Sequence, residues 1–169
     1  MRAGVSLFVF LAIVGCRSDT FPDYQRGIDF FESNHEKLQR VADYMAVNAG
    51  IEEIFLCPEG NWGIKTDESD CMELADQDIR LLMEQLNVGF VMRTNEESIL
   101  FDGGADAKAG RSWAVSFVYF PKGNVDRSEC SQDGPQVPIG VCDFEIANSW
   151  SLRYEWYPED LSESDLNEI

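Results

Sequence analysis

The hydrophobic pattern of this chain changes its period near Val88, and that change restricts the folds open to it. Before this point, apolar side chains recur in steps of four and three over residues 23–48 and again over residues 75–87, which is the spacing of an amphipathic helix. After it they recur at every second residue, as they do along half-buried strands. With a short strand between the helices, this order predicts an α+β fold.

The strands are expected to pair in an antiparallel sheet. Alternating segments lie at residues 53–57, 88–92, 98–101, 113–120, 142–146 and 150–157. Asp102-Gly103-Gly104 follows the third segment and is typical of a hairpin turn, and such close spacing excludes an all-parallel sheet. We therefore expect an antiparallel sheet of about five strands with two helices packed on one face. A curved, cone-like version with a central pocket is the main variant.

The first sixteen residues form a short apolar segment that ends in a cysteine. Arg2 is followed by an apolar run over residues 5–14. That run is too short to cross a bilayer as a helix, which takes about 20 residues, but it fits the core of an export signal. The ending Ile13-Val14-Gly15-Cys16 resembles the lipobox of bacterial lipoproteins. An ordinary secretory signal and a buried apolar strand are the alternatives.

The lipobox resemblance carries several implications for the amino-terminal region, and it covers the signal only. In that class the Cys16 thiol receives a diacylglycerol, the chain is cut before this residue, and the new amino terminus can be acylated. Two or more acyl chains anchor a protein stably to a membrane. Arg17 stands where class members retained in the inner membrane tend to carry Asp. The resemblance therefore favours the cell envelope, at the outer membrane and facing the periplasm.

The chain is expected to divide into four segments. They are a lipoprotein signal peptide at residues 1–15, a short tether at 16–22, a single α+β domain at 23–157 and an acidic C-terminal tail at 158–169. The tether has no Gly/Ser-rich spacer, so the domain should lie close to the membrane surface.

Acidic residues strongly outnumber basic ones. The formal net charge is −18, and it becomes −19 if Arg2 leaves with the signal peptide. Self-repulsion at this charge favours a monomer, and the sign of the charge argues against nucleic acid or anionic lipid as a partner. A cationic protein is the natural complement. An acidic surface that only aids solubility is the alternative interpretation.

Four cysteines remain once Cys16 is assigned to lipid: Cys57, Cys71, Cys130 and Cys142. An even number in an exported chain indicates two disulfides. Three connectivities are possible, of which local pairing, the first with the second and the third with the fourth, is the simplest. A four-cysteine zinc site is disfavoured because no Cys-x-x-Cys pair occurs.

Residues that could carry catalysis are few. His35 is the only histidine and lies in the apolar stripe of the first helix, which is typical of a core or rim residue. It is also the one candidate for the centre of a small-ligand pocket. No nucleophile elbow is present, no carboxylate pair is singled out, and the acidic turns do not match an EF-hand loop. The sequence thus predicts no catalytic residue, no metal site and no cofactor.

Two loops are candidates for a recognition surface. Residues 121–140 show no helix or strand pattern, are pinned by Cys130, and contain Lys122 and Arg127. Trp62 stands in the middle of the 57–71 loop, either as a plug in the core or as an interface anchor. These features favour a non-enzymatic binding module, such as an immunity, inhibitor or assembly lipoprotein. A pocket protein or small enzyme built around His35 is the alternative.

Overall fold

The protein folds into two helices and one large sheet. The structure, a computed structural model, describes residues 24–94, 97–108, 111–123, 129–130 and 139–158. In chain order its elements are α1 Tyr24–Val47, β1 Glu53–Leu56, β2 Trp62–Thr66, β3 Ser69–Glu73, α2 Gln77–Leu86, β4 Phe90–Arg93, β5 Ile99–Lys108, β6 Arg111–Tyr119, β7 Gly140–Ala147 and β8 Trp150–Pro158. All strand pairs are antiparallel, in the sheet order β3-β2-β1-β4-β5-β6-β8-β7.

The sheet has eight strands within the described residues, so the prediction of about five strands is wrong, although the two helices and the α+β class are present. The strands that the sequence did not indicate are β2 and β3. They form a hairpin inside the segment bounded by Cys57 and Cys71. Only Trp62 and Ile64 alternate on the first strand and only Met72 is a large apolar residue on the second, so the Gly-, Pro- and Asp-rich segment resembled a constrained loop.

Asp102-Gly103-Gly104 is a bulge and not the predicted hairpin turn. Strand β5 continues through these residues, and its register against β6 shifts between Asp102 and Ala105. Gly104 has a φ of 99°, which glycine adopts without strain. Its N–H donates to Asp102 Oδ1 at 2.9 Å, which fixes the extra residue of the bulge.

One row of directly paired residues crosses the whole sheet. From edge to edge it consists of Met72, Ile64, Ile54, Val91, Phe101, Phe117, Leu152 and Phe144. Paired residues point to the same face, and the middle members of the row are buried in the hydrophobic core. The row therefore marks the face of the sheet that packs against the helices.

Helix α1 runs across this face from β7 towards β4. At its start, the rings of Tyr24 and Phe144 are 4.8 Å apart. Further along, Phe30 stacks on Phe117 of β6 at 5.2 Å. At its end, the guanidinium of Arg93 on β4 donates to a main-chain carbonyl of the last helical turn. The helix thus covers the core from one side of the sheet to its middle.

Helix α2 packs beside α1 and contributes to the same core. Its amino terminus is capped by Asp76, whose Oδ1 accepts a hydrogen bond from Ile79 N at 3.1 Å. Asn87 ends it in the left-handed conformation. Its buried residues are Ile79, Leu82, Met83 and Leu86. These are the residues whose helical spacing predicted the element.

Candidate functional site

The four cysteines of the domain form two local disulfides, Cys57 with Cys71 and Cys130 with Cys142. The first bond ties the residue that follows β1 to the middle of β3. A carboxylate oxygen of Glu59 lies within 4.8 Å of both sulfurs of this bond. Sulfurs that are joined to each other offer no thiolate to a metal, so the pair fixes the hairpin and leaves Glu59 as a single carboxylate.

His35 is exposed on α1, and its ring lies against the aromatic core. The imidazole centroid is 4.9 Å from that of Phe31 and 6.3 Å from that of Trp150. The indole N–H of Trp150 donates to Gln39 Oε1 at 2.9 Å. Among the residues that the structure describes, no carboxylate bonds to the imidazole. The geometry gives His35 a packing role at the rim of the core.

Trp62 is half-buried and packs against the hydrophobic core from β2. It pairs across the hairpin with Leu56, the exposed last residue of β1. Of the two roles that the sequence allowed for this tryptophan, its packing favours the plug in the core.

Lys122 is exposed and forms an ion pair with Glu97. The hydrogen bond from the ammonium group, followed by its charge, lowers the pKa of the Glu97 carboxyl below its usual value of 4.5. This cation is therefore already engaged within the chain. A cation that is paired at the surface in this way is a weaker interface candidate than a free one.

The predicted interface residues do not come together. Trp62 lies beside the end of β1, whereas Lys122 follows the end of β6. Glu53 at the start of β1 pairs with Met92, and Met92 pairs with Leu100 near the start of β5. The end of β6 is level with the start of β5, so Trp62 and Lys122 lie at opposite ends of the strands.

Four predicted features lie wholly or mostly outside the described residues: the signal peptide with Cys16, the tether at 16–22, residues 124–128 and 131–138 of the 121–140 loop with Arg127, and the acidic tail beyond Pro158. They stay predictions. Neither helix in the described part of the chain is both long and apolar enough to span a bilayer.

The two edges of the sheet differ. At one edge, Glu129 forms a parallel bridge with Asp143 of β7, and the N–H of Cys130 donates to the Asp143 carbonyl at 3.2 Å. The disulfide from Cys130 to Cys142 holds this short segment alongside the strand. Covering an edge in this way removes its free backbone groups from other chains. This edge is covered at Asp143.

At the other edge, β3 has one hydrogen-bonded neighbour among the described strands, namely β2. Four consecutive residues of this strand, Asp70, Cys71, Met72 and Glu73, are exposed. Met72 keeps 48% of its surface accessible, although it ends the apolar row that lines the core. Exposed edge strands of this kind are templates for pairing with another chain.

The surroundings of the β3 edge are acidic. Asp67 and Glu68 form the turn that joins β2 to β3, and Asp70 and Glu73 lie on the strand. No basic residue occurs between Asp67 and Glu73 in the sequence. Arg80 of α2 pairs with Glu73 at 3.3 Å, so one of these carboxylates has a partner. This edge therefore combines backbone groups that no described strand pairs with, one exposed apolar side chain and negative charge.

Sequence reasoning missed this edge. The signal that indicates it is a two-residue connection, Asp67-Glu68, with Ile64 and Met72 placed almost symmetrically about it. Two-residue connections are the commonest hairpin loops. Two large apolar residues on one arm, Trp62 and Ile64, and one on the other, Met72, were too weak a pattern to predict strands.

Comparisons with protein-family models, with curated proteins and with solved structures found no match to this chain.

Proposed function

We propose that this chain is a non-enzymatic binding protein of the cell envelope, held to a membrane by lipid on Cys16, and that it binds a basic protein partner. The observation that carries the proposal is the difference between the two sheet edges. At one edge a disulfide-linked segment pairs with β7 at Asp143, whereas at the other edge β3 has no neighbour but β2 among the described strands, is acidic and is tied to β1 by its own disulfide. An edge strand presents unpaired backbone groups to which a strand of another protein can pair.

The net charge supports the choice of a basic partner. At −18 the chain attracts cationic surfaces over long range and repels its own copies. Complementary charge raises the rate of association and selects among partners. Neutralisation of a cationic toxin or lytic enzyme, as immunity and inhibitor lipoproteins achieve, is the sharpest form of this function. The two disulfides are consistent with an oxidising compartment such as the periplasm.

The disulfide cysteines, Asp143 and His35 each have a structural role, which favours binding over catalysis. Both pairs of cysteines are disulfide-bonded. The buried carboxylate of Asp143 is held by Arg153. The imidazole of His35 packs on two aromatic rings. An enzyme would need such groups to converge on a common point.

Capture from an envelope extract tests the binding function. The full-length chain, immobilised in detergent, is incubated at low salt with an extract from the organism that encodes it, and bound proteins are eluted with a salt gradient. An unrelated acidic lipoprotein of similar net charge, treated identically, removes proteins retained by ion exchange alone. We expect one dominant basic protein on the first matrix only. An identical set of proteins on both matrices, or an empty first matrix, would contradict the proposal.

Membrane fractionation tests the anchor. Expressed in a bacterial host, the natural chain should be in the membrane fraction, and the Cys16→Ser variant should leave it. A Cys16→Ser chain that stays with the membrane as firmly as the natural one would show that lipid on this residue is not the anchor.

A further inference from the structure

The β3 edge has the features of a site for strand addition, and we infer that it takes an extended, basic segment of the partner as a ninth strand of the sheet. This inference rests on the proposed function and adds the surface, the mode of binding and the chemistry of the bound segment. Backbone hydrogen bonds supply affinity in this mode, and alternate side chains supply specificity.

The hydrogen-bond register shows which backbone groups of β3 are free. The N–H of Leu74 donates to the carbonyl of Trp62 on β2 at 3.1 Å. Hydrogen-bonded and non-hydrogen-bonded pairs alternate along an antiparallel ladder. Met72, paired with Ile64, therefore points its N–H and C=O towards β2. Glu73, which lies between Met72 and Leu74, directs its N–H and C=O away from the sheet, where an added strand would bond to them.

The side chains of β3 define what the added strand should carry. Met72 ends the apolar row on the helix-facing side, with nearly half of its surface exposed. An apolar residue placed beside it would extend that row by one position and bury both side chains. Asp70 lies two residues before Met72, and Glu73 directly follows it. A segment with basic residues on either side of an apolar one therefore complements the edge.

Charge also argues against a second copy of this chain as the occupant. Two β3 strands paired edge to edge would bring their Asp70 and Glu73 carboxylates close together, and like charges on adjacent strands destabilise pairing. The rest of the molecule adds to the repulsion, because the chain carries a net charge of −18. A basic strand from another protein would instead be attracted to these carboxylates.

The disulfide between Cys57 and Cys71 prepares the edge for binding. It ties the middle of β3 to the end of β1, with β2 between them. Gly63 of β2 makes room for it, since a Cβ at this position would collide with the Cys57 sulfur. A strand that is already fixed loses little conformational entropy when a partner adds to it.

A peptide titration provides the direct test. The probe is a capped seven-residue peptide that alternates lysine and valine, added to the isotope-labelled full-length chain in nonionic detergent micelles. NMR should show shifts concentrated at residues 69–73, and the amide hydrogen of Glu73 should become protected from exchange. The amide of Met72 should be protected before the peptide is added. A peptide with N-methyl groups on alternate amides has the same charge and should bind about tenfold more weakly.

The Glu73→Pro variant separates the backbone from the charge. Proline removes the outward N–H of residue 73 and leaves the ladder with β2 intact, as edge positions tolerate. We expect Glu73→Pro to lower the binding affinity for the peptide by about tenfold. The matched control is Glu73→Gln, which removes the charge and keeps the N–H, so it should weaken binding only a few-fold. Protection of the Met72 amide in both variants shows that β3 is still in place.

Several outcomes would overturn the inference. They are equal binding of the N-methylated peptide, unchanged binding by Glu73→Pro, shifts that map to another surface, and sedimentation of the free chain as a dimer. Capture from the envelope extract shows whether only strand addition at β3 is wrong or whether the proposed binding function is wrong as well. A basic protein captured equally by the natural chain and Glu73→Pro would leave the function standing and place its site elsewhere.

Discussion

Arg153 and Asp143 form a two-point ion pair across β8 and β7, with Nε to Oδ1 and Nη2 to Oδ2 both at 3.1 Å. Only 3% of the Asp143 side chain and 17% of the Arg153 side chain remain exposed. The parallel donors of a guanidinium match the two oxygens of a carboxylate. The pair therefore fixes β7 to β8 at the residue of β7 that forms the bridge with Glu129.

Removing the charge of Asp143 should destabilise the fold. A buried ion pair broken on one side leaves an uncompensated charge, and we expect Asp143→Asn to lower the free energy of unfolding by about 3 kcal/mol. Urea denaturation of the oxidised protein measures the change. Glu145→Gln on the same strand is the control, because that side chain is exposed and should alter stability by less than about 0.5 kcal/mol. Equal stability of Asp143→Asn and the natural chain would show that the pair contributes little.

Gly63 should be intolerant of a methyl group. An added Cβ would lie 2.9 Å from the Cys71 sulfur and 3.1 Å from the Met72 carbonyl oxygen, and closer still to the Cys57 sulfur. Overpacking of this kind costs about 1–3 kcal/mol, so Gly63→Ala should unfold at lower urea concentration. Gly50→Ala is the control, because no atom lies within 4 Å of its Cβ position. If both variants unfold at the same urea concentration, a glycine at residue 63 is not needed to make room for the disulfide.

The sequence predicts those parts of the fold in which a local pattern repeats several times. Each helix has at least four apolar residues at helical spacing. Trp150, Leu152, Tyr154 and Trp156 alternate along β8, and all four are buried. Such patterns indicate an element because many independent residues agree. Strands β2 and β3 have too few apolar residues for this, and a disulfide supplies part of their stability.

Other features depend on the sheet as a whole and leave no local trace. Asp102-Gly103-Gly104 suits a turn or a bulge equally well, and the long pairing of β5 with β6 decides between them. Met72 is exposed because β3 is the outermost strand, which follows from the strand order. Edge position is a property of the assembled sheet. The candidate site could therefore not be found from spacing alone.

Tyr44 should make stability depend on alkaline pH. Burial, followed by the negative charge of Asp76, raises the pKa of its phenol above the usual 10.0. A raised pKa means that the fold favours the neutral phenol. Its contribution is thus complete below about pH 10 and is lost as pH rises through the higher pKa of the folded state. Tyr44→Phe, which does not titrate, should lose less stability over that range.

The Asp76→Asn variant tests the cause of this shift. Asparagine caps a helix as well as aspartate does, so α2 should keep its amino terminus while the nearby charge is removed. The pKa of Tyr44 should fall towards 10 but stay above it, because burial remains the larger cause. Spectrophotometric titration, with the Tyr44→Phe protein subtracted, gives the value. An unchanged pKa would show that Asp76 has no electrostatic effect on the phenol.

Breaking the Cys57–Cys71 bond should loosen the β3 edge more than the rest of the sheet. In the chain-entropy model, a disulfide that closes a loop of this size contributes about 3 kcal/mol. Strand β3 also lacks a second neighbour among the described strands. We therefore expect the Cys57→Ala/Cys71→Ala variant to exchange the amide hydrogen of Met72 much faster, while Phe117 in the central strand β6 changes only by the global loss of stability.

The matched variant removes the other disulfide. Cys130→Ala/Cys142→Ala opens a loop of similar length, with a separation of 12 residues against 14, so the two losses of global stability should be similar. In this variant the amide hydrogen of Met72 should exchange only through global unfolding, because the missing disulfide lies at the opposite edge of the sheet from β3. If both variants release Met72 equally, the Cys57–Cys71 bond does not hold β3 in particular. The edge would then bind a partner without the rigidity that the bond is proposed to supply.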